Sequence, residues 1–176
     1  YVGGLTYNRG ITNIIKASYK VGAKLILGGN FSPEGYYEEL INTKEYSGVD
    51  YRGFVNRGEV LRIYEESSIG ICTFMNLGQY DKADNFSTKV YEYMSMGLPV
   101  IISDYPYARE ILKNYEFGIA VDPENIDEIA DAIEYLTNNL DIARKMGMEG
   151  RRAVKEKFNW GIEEKKLLEL YKQLNQ

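Results

Sequence analysis

The sequence predicts an α/β domain: a doubly wound, Rossmann-like parallel sheet of about six strands with helices on both faces. Three observations carry this. Short apolar runs bounded by turn residues alternate with longer segments of helical period along all 176 residues, and such alternation implies parallel strands joined by crossover helices. Stop and start signals fall between those segments, notably Gly97, Pro99, Asn125 and Asn159. The length suits one domain, with no internal repeat and no linker-like stretch to divide it.

Taken in order, residues 1–5 are apolar and open the sheet, but they include Gly3 and Gly4. Glycine weakens a strand and marks close approach of another backbone or a ligand. Helix 10–20 and strand 23–27 follow, then helix 34–42, strand 50–55, helix 58–66 and strand 69–74, which holds Cys72. Helix 88–96 is closed by Gly97 and Pro99 before strand 99–103. Helix 108–113 and strand 118–121 complete the sheet. Asn125 with Glu128 forms a capping-box signal for helix 126–138. Helix 142–157 precedes a last helix, 160–174, which Asn159 can cap. Trp160, Leu167, Tyr171 and Leu174 share a face of that helix. This face docks on the sheet or on a neighbour outside the chain.

Composition excludes several classes. A net charge of −5 argues against a nucleic-acid surface, which needs a basic face. One cysteine allows no disulfide framework. Without histidine or a cysteine pair a zinc site has nothing to build on, and a His-dependent triad is excluded. No apolar run is long enough to span a bilayer. The chain opens at Tyr1 with no initiator Met, which reads as a piece of a longer protein.

In doubly wound folds ligands sit at the carboxyl ends of strands. Here that directs attention to residues 6–10, 28–34, 56–57, 75–87 and 104–108. Arg9 stands just before a helix start, where a guanidinium and orphan N–H groups together attract an anion; the alternative is a solvated loop Arg. Neither G-x-G-x-x-G nor a Walker loop is present. Phe86-Ser87-Thr88-Lys89 offers free N–H groups, two hydroxyls and an ammonium at the positive end of a helix, which suits a diphosphate; the alternative is that Ser87 simply caps the helix. Glu92 lies on a helix that is apolar nearly all round, with Val90, Tyr91, Tyr93, Met94 and Met96. A carboxylate there needs a partner, either sugar hydroxyls or Lys89 at i−3. Asp84 precedes Glu92 by eight residues and reads as a second sugar ligand or as a solvated loop acid.

Together these pieces resemble the C-terminal, nucleotide-sugar-binding half of GT-B glycosyltransferases, and specifically family 4, glycosyltransferase group 1. Gly3-Gly4-Leu5 through Arg9-Gly10 resembles that family's opening G-R-L-x-x-x-K-G. Asp84 to Glu92, then Tyr93-Met94-Ser95-Met96-Gly97-Leu98-Pro99-Val100-Ile101, resembles its E-x7-E and E-A/Y-M-A-x-G-x-P-V-I block. Pro106 to Ile111, Gly118 to Pro123 and Phe158-Asn159-Trp160 match its later segments, so the resemblance runs over nearly the whole chain.

The resemblance implies a donor site for a nucleoside-diphosphate sugar, UDP- or GDP-linked, with no other cofactor and no metal. Gly3, Gly4 and Arg9 would meet the diphosphate. Phe86, Ser87, Thr88 and Lys89 would meet phosphates and sugar, and Glu92 the ribose hydroxyls. Phe54, Val55 and Asn56 would meet the base. Asp84 stands where the family has its first Glu and is the catalytic candidate. Two positions depart from the pattern: Gly4 replaces a basic residue, and Asp84 is one methylene shorter than Glu. The implied whole is a retaining, metal-independent glycosyltransferase of cell-surface polysaccharide or glycolipid synthesis. It would work in the cytoplasm, at the inner face of the membrane through peripheral association. Residues 1–176 would be its donor domain, with the glycan or lipid-linked acceptor on an N-terminal domain absent here. A sugar-nucleotide epimerase of the same fold and a non-enzymatic α/β regulatory module are the alternatives.

Overall fold

The computed structural model describes residues 1–78 and 80–174. Among the described residues, five strands and eight α-helices follow in the expected order, one strand fewer than the six expected. The strands are β1 (Leu25–Leu27), β2 (Val49–Tyr51), β3 (Gly70–Cys72), β4 (Val100–Ser103) and β5 (Gly118–Val121). The helices are α1 (Ile11–Lys20), α2 (Tyr36–Ile41), α3 (Arg57–Glu66), α4 (Thr88–Met96), α5 (Pro106–Leu112), α6 (Ile126–Asn138), α7 (Leu140–Glu156) and α8 (Trp160–Leu174). All strand pairs are parallel: β1 with β2, and β3–β4–β5 in order. Tyr7–Arg9 and Lys44–Gly48 form single 3-10 turns that the sequence did not announce.

The expected sixth strand, residues 1–5, is reduced to two parallel bridges, Val2 with Gly28 and Leu5 with Phe31. The cause lies in the glycines. Gly3 takes φ 138°, which breaks the regular ladder. A Cβ on Gly29 would strike the Gly3 carbonyl oxygen, so two backbones meet where only glycine fits. The run at 50–55 is likewise cut short. Past the ladder, Arg52 N–H donates to the Leu27 carbonyl at 2.8 Å and the Gly53 carbonyl accepts from Gly29 N–H at 2.6 Å, and Gly53 turns the chain away at φ 63°.

One contiguous buried core holds the helices on the sheets. Leu5, Ile11, Ile14, Ile15 and Leu27 lie around α1 and β1, and Tyr93, Met94, Ile101, Phe117 and Ile129 around α4, β4 and α6. Helix α7 rides close on α4 through small residues: at Gly150 a Cβ would sit 3.2 Å from the Met94 Cα. Helix α4 ends in a Schellman motif, with Gly97 N–H on the Met94 carbonyl and Leu98 N–H on the Tyr93 carbonyl, both at 3.0 Å. Gly97 supplies the left-handed φ of 75°.

The capping box expected at Asn125 forms only by half. Asn125 accepts from the N–H groups of Asp127 and Glu128, but the Glu128 carboxylate turns to the Asp122 N–H at 2.9 Å. The complete box is on α3, between Asn56 and Glu59. Asn159 does cap α8, accepting from Ile162 N–H at 3.3 Å. The apolar face of α8 does not dock on the sheet: Trp160, Leu167, Tyr171 and Leu174 are all exposed. Among the described residues no helix is long and apolar enough to cross a membrane.

Candidate functional site

Arg9 and Lys89 meet above the glycine pair. Arg9 ends the 3-10 turn, and Gly10 (φ 69°) draws that turn so close to β3 that a Cβ there would strike the Thr73 carbonyl oxygen. From this position Arg9 Nη1 donates to the Gly4 carbonyl at 3.2 Å, and the guanidinium lies 5.8 Å from the Phe74 ring centroid. Lys89 enters from the first turn of α4. It is only 8% exposed, and its ammonium lies 4.9 Å from the ring centroids of both Tyr1 and Phe74. A Cβ on Gly3 would lie 3.2 Å from Lys89 Cε, and one on Gly4 2.8 Å from Arg9 Nη1. The departure at Gly4 therefore leaves room that Arg9 fills, while Lys89 packs against Gly3.

Neither cation has a carboxylate within ion-pair distance among the described residues. Buried charges are ordinarily paired. Here aromatic faces and a hydroxyl take that place. Burial pulls the Lys89 pKa down from its ordinary value, and the neighbouring Arg9 adds to the shift.

The start of α4 is open on the same side. Ser87 stands at the N-cap, but its hydroxyl does not cap. It accepts from Lys89 Nζ at 3.3 Å instead. The N–H groups of Ser87, Thr88 and Lys89 are thus without an intramolecular partner among the described residues. Phe86 corrects the expectation at one point. Its N–H is not free but bonded to Tyr91 Oη at 3.1 Å, and its ring is held among Tyr91, Tyr107 and Phe117. A cavity of about 390 Å³ opens beside the cradle, walled by Arg9, Phe74, Phe86, Ser87, Tyr105 and Tyr107.

One turn along α4, Glu92 has two partners from α3. Its Oε1 pairs with Arg57 Nη1 at 2.5 Å and its Oε2 accepts from Tyr64 Oη at 2.8 Å. The Lys89 pair considered from sequence is not made, because the ammonium turns to Ser87. Tyr64 is 2% exposed and meets the Tyr93 ring edge-on at 5.1 Å. Burial first, then the Glu92 carboxylate, push its phenol well above the ordinary range, so it stays a donor. Sequence reasoning missed Tyr64. The available signal was that Arg57 and Tyr64 lie seven residues apart, two turns along one helix face.

The remaining expected residues are dispersed. Phe54 follows the Gly53 turn and is 76% exposed. Val55 covers Gly28, where a Cβ would lie 3.1 Å from Val55 Cγ2. The Asn56 side chain is spent on capping α3 rather than left free for a ligand. Asp84 is exposed and makes no hydrogen bond among the described residues, and nothing ties it to Glu92.

The chain is similar to known proteins. The model of the family described as glycosyl transferases group 1 matches residues 1–153. An uncharacterized glycosyltransferase of Methanocaldococcus jannaschii is 27% identical over 177 residues, covering 98% of this chain and 44% of that protein. The capsular polysaccharide biosynthesis glycosyltransferase CapM of Staphylococcus aureus is 26% identical over 179 residues, covering 97% and 44%. The chain thus spans less than half the length of these relatives. Among solved structures, HepE of Anabaena in complex with UDP-glucose superposes with a TM-score of 0.80 at 17% identity, covering 98% of this chain and 48% of that one. The parallel α/β architecture is shared with HepE. With most of its length matched by the family model, the chain belongs to the group 1 glycosyl transferases.

Proposed function

We propose that this chain is the donor-binding domain of a glycosyltransferase that uses a nucleoside-diphosphate sugar. The observation that carries the reading is the pair of half-buried and buried cations, Arg9 and Lys89, without carboxylates, beside the open N–H groups of α4. A diphosphate supplies the missing countercharge and accepts from the helix terminus. Glu92, one turn away, takes the ribose diol, and the exposed Phe54 turn lies toward the base. UDP is favoured as the nucleotide because HepE was solved with UDP-glucose, and GDP is the alternative.

In transfer, negative charge develops on the leaving diphosphate. Preorganised cations and helix dipoles stabilise that charge without reorganisation. This is the task a metal ion performs in other transferases, and we read the reaction as metal-independent on that basis; retention of anomeric configuration rests on the family resemblance alone. Asp84 is assigned to the transferred sugar. The acceptor, a glycan or lipid-linked saccharide, belongs to a further domain. The uncovered apolar face of α8 supports such a neighbour. The relation to CapM favours cell-surface polysaccharide or glycolipid synthesis; the cytoplasmic face of the membrane as its place of work rests on the family resemblance alone.

Titration calorimetry of this chain with UDP, GDP and AMP tests the reading. One diphosphate should bind weakly, and Arg9→Ala and Glu92→Gln should each weaken it. Failure of both diphosphates to bind at low salt overturns the donor-site assignment.

A further inference from the structure

Glu92 is already occupied by two groups of this chain, and those groups differ in every physical respect. Tyr64 is buried, wedged edge-on against Tyr93, and donates to Oε2 at 2.8 Å. It has nowhere to go without opening the α3–α4 contact. Arg57 is the first residue of α3, and its side chain is 65% exposed. Glu92 is its only ion-pair partner among the described residues, and leaving Glu92 returns the guanidinium to water. An exposed ion pair of this kind is cheap to exchange.

The geometry points to a division of labour around the carboxylate. Tyr64 is a positioning residue that fixes the orientation of Glu92, and Arg57 is a resident plug that occupies the ribose position until a nucleotide displaces it. A ribose diol presents two hydroxyl donors. A carboxylate carries about four acceptor positions, two on each oxygen. Tyr64 uses one on Oε2 and pins the plane of the group. The diol then takes the side that Arg57 vacates on Oε1. Apo Glu92 is never an unpaired acid on an apolar helix, so the site keeps its carboxylate ready without the cost of an unsatisfied buried charge. This inference rests on the donor-site reading above and goes beyond it in naming two residues whose roles have opposite signs.

The test compares UDP and GDP with their 2′,3′-dideoxy forms, which keep base and diphosphate but lack the diol, by calorimetry on the parent, Tyr64→Phe and Arg57→Ala. The parent should prefer the ribonucleotide. Tyr64→Phe should weaken the ribonucleotide about 5-fold, the magnitude of one hydrogen bond, and leave the dideoxy form unchanged. Arg57→Ala should tighten the ribonucleotide about 2-fold, as loss of a competing surface pair predicts, with no gain for the dideoxy form. Circular dichroism melts confirm that each variant is folded. Equal weakening of both nucleotides by Tyr64→Phe makes Tyr64 merely structural and overturns its role. Weaker binding of either nucleotide to Arg57→Ala makes Arg57 a ligand contact and overturns the plug. If the parent binds both forms alike, the ribose assignment of Glu92 falls while the diphosphate site stands. If it binds neither, the donor-site reading itself falls.

Discussion

Lys89 and Glu92 lie one turn apart on the same helix, yet the ligand-free chain treats them in opposite ways. The acid receives a guanidinium and a buried phenol from α3. The ammonium, though more buried, receives only two aromatic faces and one hydroxyl. Cation–π contacts and a neutral acceptor compensate a buried charge incompletely. A phosphate arriving at Lys89 therefore creates an interaction that was missing. A ribose arriving at Glu92 exchanges one partner for another. For the donor site proposed here, the difference predicts that affinity comes from the phosphate end and selectivity from the ribose end.

Lys89→Met is the strongest way to break this comparison. It removes the countercharge for the diphosphate while keeping an unbranched side chain of similar reach. Calorimetry should show a loss of about 2 kcal/mol in nucleoside-diphosphate binding, roughly 30-fold. The thermal midpoint should rise rather than fall, by about 1 kcal/mol of stability, because an underpaired buried charge is gone. A destabilised Lys89→Met chain would show that the ammonium is held for structure, through Ser87, and not for a ligand.

Arg9 comes next. Its guanidinium sits at the rim and already donates to Gly4, so it has less to gain from a phosphate than Lys89 has. Arg9→Ala should cost about 1.4 kcal/mol, roughly 10-fold in diphosphate affinity. Arg9→Lys should recover only part of it, since the fork that spans Gly4 and a phosphate oxygen is lost. Full recovery by lysine would reduce Arg9 to a point charge.

A pH measurement sharpens the same contrast without mutation. Burial lowers the folded-state pKa of Lys89 below 10.5. The unfolded chain then binds that proton more tightly than the folded one, so stability through this group rises with pH across the window just below 10.5. A bound diphosphate favours the ammonium and raises the pKa again. Binding in that window should take up protons, visible as a dependence of the calorimetric enthalpy on buffer ionisation heat. Proton release, or no exchange, would mean that the phosphate does not reach Lys89.

Much of this was legible in the sequence where local chemistry decides the outcome. The bounds of α4, α6, α8 and β5 follow from their caps and apolar periods. Arg9, Ser87 and Lys89 come together because they share the carboxyl ends of parallel strands, a consequence of topology that spacing conveys. Three things were not legible, each for a tertiary reason. The backbone contact of Gly3 with Gly29 removes the first strand, and no period reveals a contact between segments 26 residues apart. Lys89 is a residue type that is rarely buried, and only the packing of Tyr1 and Phe74 around it shows that it is. The partners of Glu92 come from α3, and although the seven-residue spacing puts Arg57 and Tyr64 on one face, nothing in either helix says that this face meets α4.

Asp84 gives the smallest expected effect, and it bounds how far the paired-acid pattern reaches. The sequence spacing treats Asp84 and Glu92 as twins, but the environments differ. Glu92 is enclosed and twice bonded, while Asp84 is exposed and bonded to nothing among the described residues. A solvated carboxylate contributes little to stability, so Asp84→Asn should shift unfolding by less than about 0.5 kcal/mol. UDP affinity should change by less than about 2-fold, since neither phosphate nor ribose meets this position. If Asp84 touches the transferred sugar, its substitution acts only on the sugar-bearing donor, and the ratio of UDP-glucose to UDP affinity falls. A gain with UDP alone would place Asp84 beside the cations, where its carboxylate repels the diphosphate and Asp84→Asn relieves that repulsion.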